Sequence, residues 1–280
     1  MINKNIIICN WNEKGEKIVL ELHSPLASPD TGIIVISKPR PVNEEELRHN
    51  YQKEYSNVEF REGSPVNYET LKGTNIHSAK AVIILTDDKI LNPDAESALI
   101  ALAINTIWEK RIDEEVIRRT EGLDKDELRE KVILEDKFRK PRIIVEVLDH
   151  GKMDHLKDAG ADDVICAADY AIGILAQSAL NEKLSDVYHD LLTYSPGTNE
   201  IYILDDLFVS AWIKGKTFEE ISLFFLQNRI SVNYAIPVGI RRKTEAIINP
   251  KGEARFIEDD ALIILAYDIP DLINIISEKR

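Results

Sequence analysis

The residues best suited to chemistry in this sequence lie directly after its short apolar runs. Asp149, His150, Asp154 and His155 follow the apolar run at 142–148, and carboxylates and imidazoles are common zinc ligands. The two histidines are five residues apart, so they would not share one face of a helix. The spacing therefore favours capping and surface roles over a zinc site, although both interpretations start from the same residues.

A second candidate site is the turn after the first apolar run. A dinucleotide-binding turn carries three glycines, which permit a tight bend and close approach of a pyrophosphate. The turn here is Asn10-Trp11-Asn12-Glu13-Lys14-Gly15, in which only Gly15 falls in such a position. The second apolar run is followed by Lys38 and Arg40, where a dinucleotide-binding domain has an acidic residue that binds the ribose. Lys38 and Arg40 would either bind a phosphate or be ordinary exposed surface residues. The sequence therefore gives little support for a nicotinamide enzyme.

Short apolar runs and helical stretches alternate through the first two thirds of the chain. Strands are predicted at 5–9, 33–36, 58–60, 81–85, 142–148 and 164–165, and helices at 13–23, 44–53, 68–71, 94–109 and 150–156. This alternation predicts a doubly wound parallel sheet of the Rossmann-like α/β class. The charged segment 111–140 interrupts it. We interpret that segment as a solvated extension of the fourth helix plus a loop, with a partner-binding device as the alternative.

The last third of the chain has a different pattern. A long apolar helical stretch at 168–192 is broken near 181–183 and ends in a turn at 195–197. Strands are predicted at 200–204, 231–238, 246–248 and 261–267, with a hairpin-like turn at 249–252 and a helix at 217–228. Thr217 and Glu220 have the spacing of a capping box at the start of that helix. The pattern predicts a small α+β lobe.

Composition excludes several classes of function. The formal net charge is −14, which argues against binding to nucleic acid or to anionic lipid. No apolar run reaches the roughly 20 residues that span a bilayer, and no signal peptide is evident, so we expect a cytoplasmic chain whose pore lies on another chain or was trimmed from this one. The two cysteines, Cys9 and Cys166, are expected to be reduced and buried.

Several short segments in order carry a resemblance to a known family. They are Ile6-Ile7-Ile8-Cys9-Asn10-Trp11, Gly63-Ser64-Pro65, Ala79-Lys80-Ala81-Val82-Ile83, Thr86-Asp87-Asp88, the run 142–149 and the run 159–165. Together they resemble the RCK/KTN domains, the cytoplasmic regulators of potassium channels and transporters. The resemblance implies a Rossmann-like N-terminal lobe at 1–167, a crossover helix-turn-helix at 168–194 and a C-terminal α+β lobe at 195–280.

The resemblance also implies a function. A domain of this family would sense a ligand and control potassium transport as part of a gating ring, without catalysis. Its partners would be a second copy, contacted through Ala171–Leu191 as a dimer or ring, and the membrane subunit of a potassium channel or transporter. The alternatives are a soluble nucleotide-dependent oxidoreductase and a ring scaffold that has lost its ligand.

Within the resemblance, this sequence departs from the family pattern at the nucleotide site. Asn10 replaces the usual glycine, Lys38 the ribose-binding acid and Ser64 the aspartate near the adenine. These departures argue against NAD. The calcium-binding positions of archaeal relatives align with Leu85, Glu146 and Leu148, which keep one carboxylate of three and argue against a calcium site of that type. Glu146 is then a ligand residue or a paired strand-end carboxylate.

A candidate ligand site follows from the convergence of the strand ends, together with the N–H groups of the helix that begins near Glu13. Its cations favour a nucleotide or another phosphorylated ligand. The predicted ligand-binding residues are Asn10, Asn12, Lys38, Arg40, Ser64, Thr86, Asp87 and Glu146.

Overall fold

The computed structural model describes residues 5–23, 31–38, 43–50, 55–87, 89–119, 124–194 and 197–277. Arg40 and the turn residues Ser195 and Pro196 lie outside these ranges. The chain divides into two compact units, Met1–Leu180 and Asn181–Arg280. The division falls inside the segment 168–194 that the sequence predicts as a crossover.

The first unit contains one parallel sheet with helices on both faces. Its strands are β1 Ile6–Cys9, β2 Ile33–Ser37, β3 Val58–Glu62, β4 Ala81–Ile84, β5 Arg142–Glu146 and β6 Asp163–Ile165. Its helices are α1 Glu13–Leu22, α2 Glu44–Asn50, α3 Tyr68–Gly73, α4 Pro93–Arg119, α5 Lys125–Ile133, α6 Met153–Asp158 and α7 Ala167–Leu180. The strand order is β3-β2-β1-β4-β5-β6, which confirms the predicted Rossmann-like fold and places its topological switch point between β1 and β4.

The sheet forms because its central strands are apolar on both faces. All four residues of β1 and all five of β2 are buried, as expected for parallel strands covered by helices on both sides. One core lies between the sheet and helices α3, α4 and α6, and a second lies beneath α1 and α2. The cysteines Cys9 and Cys166 are buried in the first core, as predicted, and burial raises the pKa of the Cys9 thiol to about 12.

The charged segment 111–140 contains the predicted extension of the fourth helix, but residues 125–133, which are predicted as loop, form helix α5 with a buried apolar side. Helix α4 continues to Arg119, and α5 packs against it. The side chains at the contact are Ile112, Val116, Leu128, Val132 and Phe138. The indole N–H of Trp108 donates to the carbonyl of Phe138 at 2.7 Å. The i, i+4 spacing of the apolar residues on each helix was the available signal, and the surrounding charges obscured it.

The second unit contains a four-stranded antiparallel sheet. Its strands are β7 Glu200–Leu204, β8 Ile236–Arg242, β9 Glu245–Ile248 and β10 Ala261–Ala266, in the order β7-β10-β8-β9. Its helices are α8 Leu184–Leu192, α9 Leu207–Ile213, α10 Phe218–Gln227 and α11 Leu272–Ser277. The predicted α+β lobe and the capping box of Thr217 with Glu220 are both present.

One predicted boundary in this unit is wrong. Residues 231–235 do not belong to the strand, because Asn233 and Tyr234 have left-handed backbone conformations with φ of 52° and 59°, which a strand cannot continue. The turn predicted at 249–252 follows β9 directly. Asn249 has a left-handed φ of 49° there, and the N–H of Ala254 donates to the carbonyl of Lys251 at 2.9 Å.

Among the residues described, no helix combines the length and the apolar composition needed to cross a membrane.

The packing of α4 on α5 can be tested with a pair of isoleucines on one helix. Ile112 is fully buried at the contact, whereas Ile117 is 71% exposed. We expect Ile112→Ala to lower the free energy of unfolding by about 2–5 kcal/mol, because it removes buried methyl groups and leaves a cavity. Ile117→Ala should change it by less than about 0.5 kcal/mol. Denaturant titration followed by circular dichroism measures both values, and equal effects would mean that α5 does not cover Ile112.

Candidate functional site

The candidate site lies at the carboxyl edge of the parallel sheet, where β1 and β4 are neighbours. Asn10 follows β1 with a left-handed φ of 69°, a conformation that asparagine tolerates better than most residues with a side chain. Its amide Nδ2 donates to the carbonyl of Leu85 at 2.9 Å. Asn10 thus joins the ends of β1 and β4 directly across the switch point.

Asn12 makes a second link and also caps helix α1. Its Oδ1 accepts hydrogen bonds from the backbone N–H groups of Lys14 at 3.0 Å and Gly15 at 3.3 Å. Its Nδ2 donates to the carbonyl of Thr86 at 3.1 Å. The sequence predicts that free N–H groups of α1 face the cleft. For the N–H groups of Lys14 and Gly15 that prediction is wrong, because both donate to the side chain of Asn12.

Glu146, at the end of β5, is held by two neighbours. The ammonium of Lys14 lies 2.6 Å from its Oε1, and the backbone N–H of Thr86 donates to its Oε2 at 3.1 Å. The hydroxyl of Thr86 donates to the carbonyl of Glu146 at 2.6 Å. The sequence analysis left Glu146 as either a ligand residue or a paired strand-end carboxylate, and in the structure its carboxylate is paired. We refer to Asn10, Asn12, Lys14, Thr86 and Glu146 as the switch-point network.

Trp11 explains the one glycine that matched a nucleotide-binding position. A Cβ atom on Gly15 would lie 2.7 Å from Cε3 of the indole, so the indole lies against the backbone of α1. The ring also meets Phe60 edge-on, with the ring centroids 5.2 Å apart. Gly15 stands at the third glycine position of a dinucleotide turn, which serves close packing of the helix on the strand, and here it makes room for a side chain of the protein.

Three further predicted ligand-binding residues, Lys38, Ser64 and Asp87, lie outside the switch-point network. Lys38 is exposed after β2, and Ser64 follows Gly63, whose N–H donates to the carbonyl of Ser37 at 2.9 Å. Within the described ranges, no hydrogen bond joins Lys38 or Ser64 to the switch-point network. Asp87 accepts from the backbone N–H of Lys89 at 3.0 Å and so organises the loop before α4.

Two residues of the set that was weighed as a zinc site make other contacts. Asp149 accepts from the N–H of Gly151 at 2.9 Å, which is a capping role, and Nδ1 of His150 lies 2.6 Å from the carboxylate of Asp169. Among the described residues, no group of three or more histidine, cysteine, aspartate or glutamate side chains is arranged to hold a metal ion. At the aligned calcium positions, Leu85 is buried in the core.

Sequence reasoning missed one buried carboxylate near this edge. Asp94, in the first turn of α4, is 2% exposed. It accepts hydrogen bonds from the N–H groups of Leu148 at 2.9 Å and Asp149 at 3.3 Å, and from the ammonium of Lys152 at 3.0 Å. That hydrogen bond raises the pKa of Lys152. Asp94 thereby attaches the start of α4 to the chain leaving β5, through contacts more than 50 residues apart that no local motif reveals.

Comparison with known proteins decides the family. A model of the calcium-activated potassium channel slowpoke-like RCK domain matches residues 1–144. The chain belongs to the slowpoke-like RCK domain family. The resemblance on which the sequence analysis rested is therefore confirmed, and the matched residues include strands β1 to β4 of the Rossmann-like sheet.

Related proteins extend the comparison beyond the matched segment. The RCK domain is 21% identical over 276 residues to "Probable ion channel POLLUX" of Arabidopsis thaliana, an alignment that covers 95% of this chain and 28% of the plant protein. The human SLO3 gating ring has a similar fold, with a TM-score of 0.55 at 19% identity over 94% of this chain and 44% of that one. The GsuK channel bound to NAD aligns with a TM-score of 0.42 at 18% identity, over 94% of this chain and 36% of that one.

The closed switch point makes a prediction about nucleotides. We expect isothermal titration calorimetry to detect no tight binding of NAD or NADH, because Asn12 already occupies the first-turn N–H groups of α1 and Trp11 covers Gly15. The paired variant Trp11→Gly/Asn12→Gly should bind NAD more tightly than the wild type. Micromolar affinity of the wild-type protein would contradict this explanation, since the network would then have to open at little cost.

Proposed function

We propose that this RCK domain is a ligand-sensing regulatory domain, and that it controls potassium transport through a membrane pore by assembling into a gating ring. The pore would be carried by another chain or by another part of the same protein. The chain spans less than a third of the length of the curated relatives it matches. Support comes from the potassium-channel description of the family and the ion-channel description of POLLUX.

The observation that carries the proposal is the exposure of helix α7. None of its 14 residues is buried, and its apolar side chains are well exposed: Ile172, Leu175 and Leu180 are 64–83% exposed. Val187 and Leu192 of α8 are exposed as well. A helix that is apolar on its exposed surface requires a partner. We infer that the region Ala171–Leu191 packs against a second copy, in a dimer or a larger ring.

The ligand would act through a difference in affinity. A ligand can shift the equilibrium between two states of the ring, and so the opening of a pore, only by the difference between its affinities for those two states. The switch-point network links the ends of β1, β4 and β5 to α1 and to the loop before α4, so displacing one of its members would be transmitted to several elements at once.

We propose a ligand site beside the switch-point network, at the ends of β2 and β3. Lys38 and Ser64 line it from β2 and β3, and Arg40 follows Lys38 in the sequence. Lys14 could turn toward the same space, because its side chain is 48% exposed and exposed ion pairs contribute only about 0–1 kcal/mol. These cations favour an anionic ligand such as a nucleotide or another phosphorylated molecule.

Assembly is tested by placing a charge on α7. We expect wild-type protein at micromolar concentration to be a dimer or larger by size-exclusion chromatography with light scattering. Leu175→Asp should shift it toward the monomer, because an unpaired carboxylate would be desolvated in the contact. Leu134→Asp is the matched control, since Leu134 is 84% exposed outside α7 and should leave the assembly unchanged. A monomeric wild type would refute the proposed ring.

The ligand site is tested separately. Thermal shifts with ADP, ATP, cyclic dinucleotides, Ca²⁺, Mg²⁺ and Na⁺ identify a ligand, because selective binding to the native state raises its stability. For a phosphorylated ligand, Lys38→Ala/Arg40→Ala should remove the shift and leave the oligomer intact. Lys17→Ala, which removes an exposed cation from α1, is the control. A normal response of the double variant would place the site elsewhere.

A further inference from the structure

The helices of the second unit line an open groove of about 460 Å³, a volume within the range of small-molecule sites in proteins. Helix α10 contributes Glu220, Leu223, Phe224 and Gln227. Their spacing of three and four residues places them along one face of the helix. All of the lining residues belong to the second unit, whereas the switch-point network belongs to the first.

The walls of this groove are aromatic and aliphatic. The rings of Trp212 and Phe224 meet edge-on, with their centroids 4.7 Å apart. Ile276 of α11 also lines the groove and is buried. The side chain of Leu223 is 47% exposed, so apolar surface in the groove is left in contact with water. An apolar ligand chain would remove that surface from water, which is favourable.

The groove carries a cation at the end where α10 begins. Lys216 directly precedes Thr217, the N-cap of α10. Its ammonium lies 4.6 Å from the centroid of the Trp212 ring and donates to the carbonyl of Trp212. An ammonium has three N–H donors, so Lys216 can bind an anionic group and keep this hydrogen bond. The indole thus holds the cation at the mouth of an apolar groove.

The carboxylate in the lining, Glu220, is already engaged at the same end. It accepts hydrogen bonds from the N–H of Thr217 at 2.6 Å and from its hydroxyl at 3.1 Å. Arg255 pairs with Thr217 in an isolated β-bridge. The hydrogen bonds from Thr217, and then the charges of Arg255 and Lys216, hold the pKa of Glu220 below its ordinary value. Two cations and one bound carboxylate leave this end of the groove with an excess of positive charge.

We propose that the groove binds a free aliphatic carboxylate, with the carboxylate at Lys216 and the chain along Leu223 and Phe224 toward Gln227. The face of α10 from Glu220 to Gln227 is about 10 Å long at 1.5 Å per residue, which suits an extended chain of about eight to ten carbons. The ligand is a free molecule, because the formal net charge of −14 opposes docking on an anionic bilayer. The site depends neither on the proposed ring nor on the anion site of the first unit.

Three ligands that share a ten-carbon chain test the charged end. Isothermal titration calorimetry compares decanoate, decylamine and decanol, each below the concentration at which it aggregates. We expect decanoate to bind, and the other two to bind roughly tenfold more weakly or not at all, because only the carboxylate forms a charge-assisted hydrogen bond with Lys216. Lys216→Gln should weaken decanoate binding by roughly tenfold. Lys214→Gln is the control, since Lys214 pairs with Glu258 at 2.9 Å and does not line the groove.

A pair of leucines on α10 tests the apolar wall. Leu223→Asp should abolish the binding of decanoate, because it places a carboxylate in the path of the chain. Leu226→Asp should leave the affinity unchanged, since Leu226 is 65% exposed on the same helix and lies outside the lining. Circular dichroism checks that each variant is folded, and Lys216→Gln decides if Leu223→Asp is not.

Several results would overturn this site. They are the absence of decanoate binding to the wild-type protein, equal affinity for the three head groups, and wild-type affinity of the Lys216→Gln and Leu223→Asp variants. Binding to anionic vesicles in place of free decanoate would also overturn it, because the ligand would then be a membrane surface. A monomeric wild-type protein that still binds decanoate through Lys216 would refute the proposed ring and leave this site standing.

Discussion

The polar groups at the carboxyl edge of a parallel sheet need partners, and in this domain the protein supplies them itself. At the switch point, the amides of Asn10 and Asn12 bond the carbonyls of Leu85 and Thr86, and Glu146 is held by Lys14 and Thr86. The ends of β1, β4 and β5 and the start of α1 therefore form one hydrogen-bonded unit. The loop before α4 leaves from this unit, and Asp94 attaches the first turn of α4 to the chain after β5.

A consequence is that this domain keeps the Rossmann-like scaffold while its dinucleotide position is filled by side chains. Asn12 caps the helix that would otherwise receive a phosphate, and Trp11 lies against the single glycine of the turn. The cost of binding a ligand there includes breaking these contacts. A network of this kind is also suited to signalling, because its members belong to different elements.

Apolar surfaces left uncovered define the second property of the chain. Helix α7 exposes aliphatic side chains that a monomer would normally bury.

The sequence by itself determined the class of the fold. Continuous apolar runs such as Ile6–Cys9 predict buried parallel strands because both faces of the strand must be covered, and the change of pattern after residue 195 marks the α+β lobe. It also indicated the capping box at Thr217 and the burial of both cysteines. These features depend on neighbours within a few residues, where spacing and composition act directly.

The contacts between distant residues became visible only in the folded chain. Lys14 and Glu146 are 132 residues apart, and nothing local to either predicts their ion pair. The packing of α5 on α4 was hidden because its apolar residues are diluted by charges, and the strand that was expected from residue 231 begins at Ile236 because Asn233 and Tyr234 adopt left-handed conformations. Pairing across a sheet depends on strand order and register, which are properties of the folded chain.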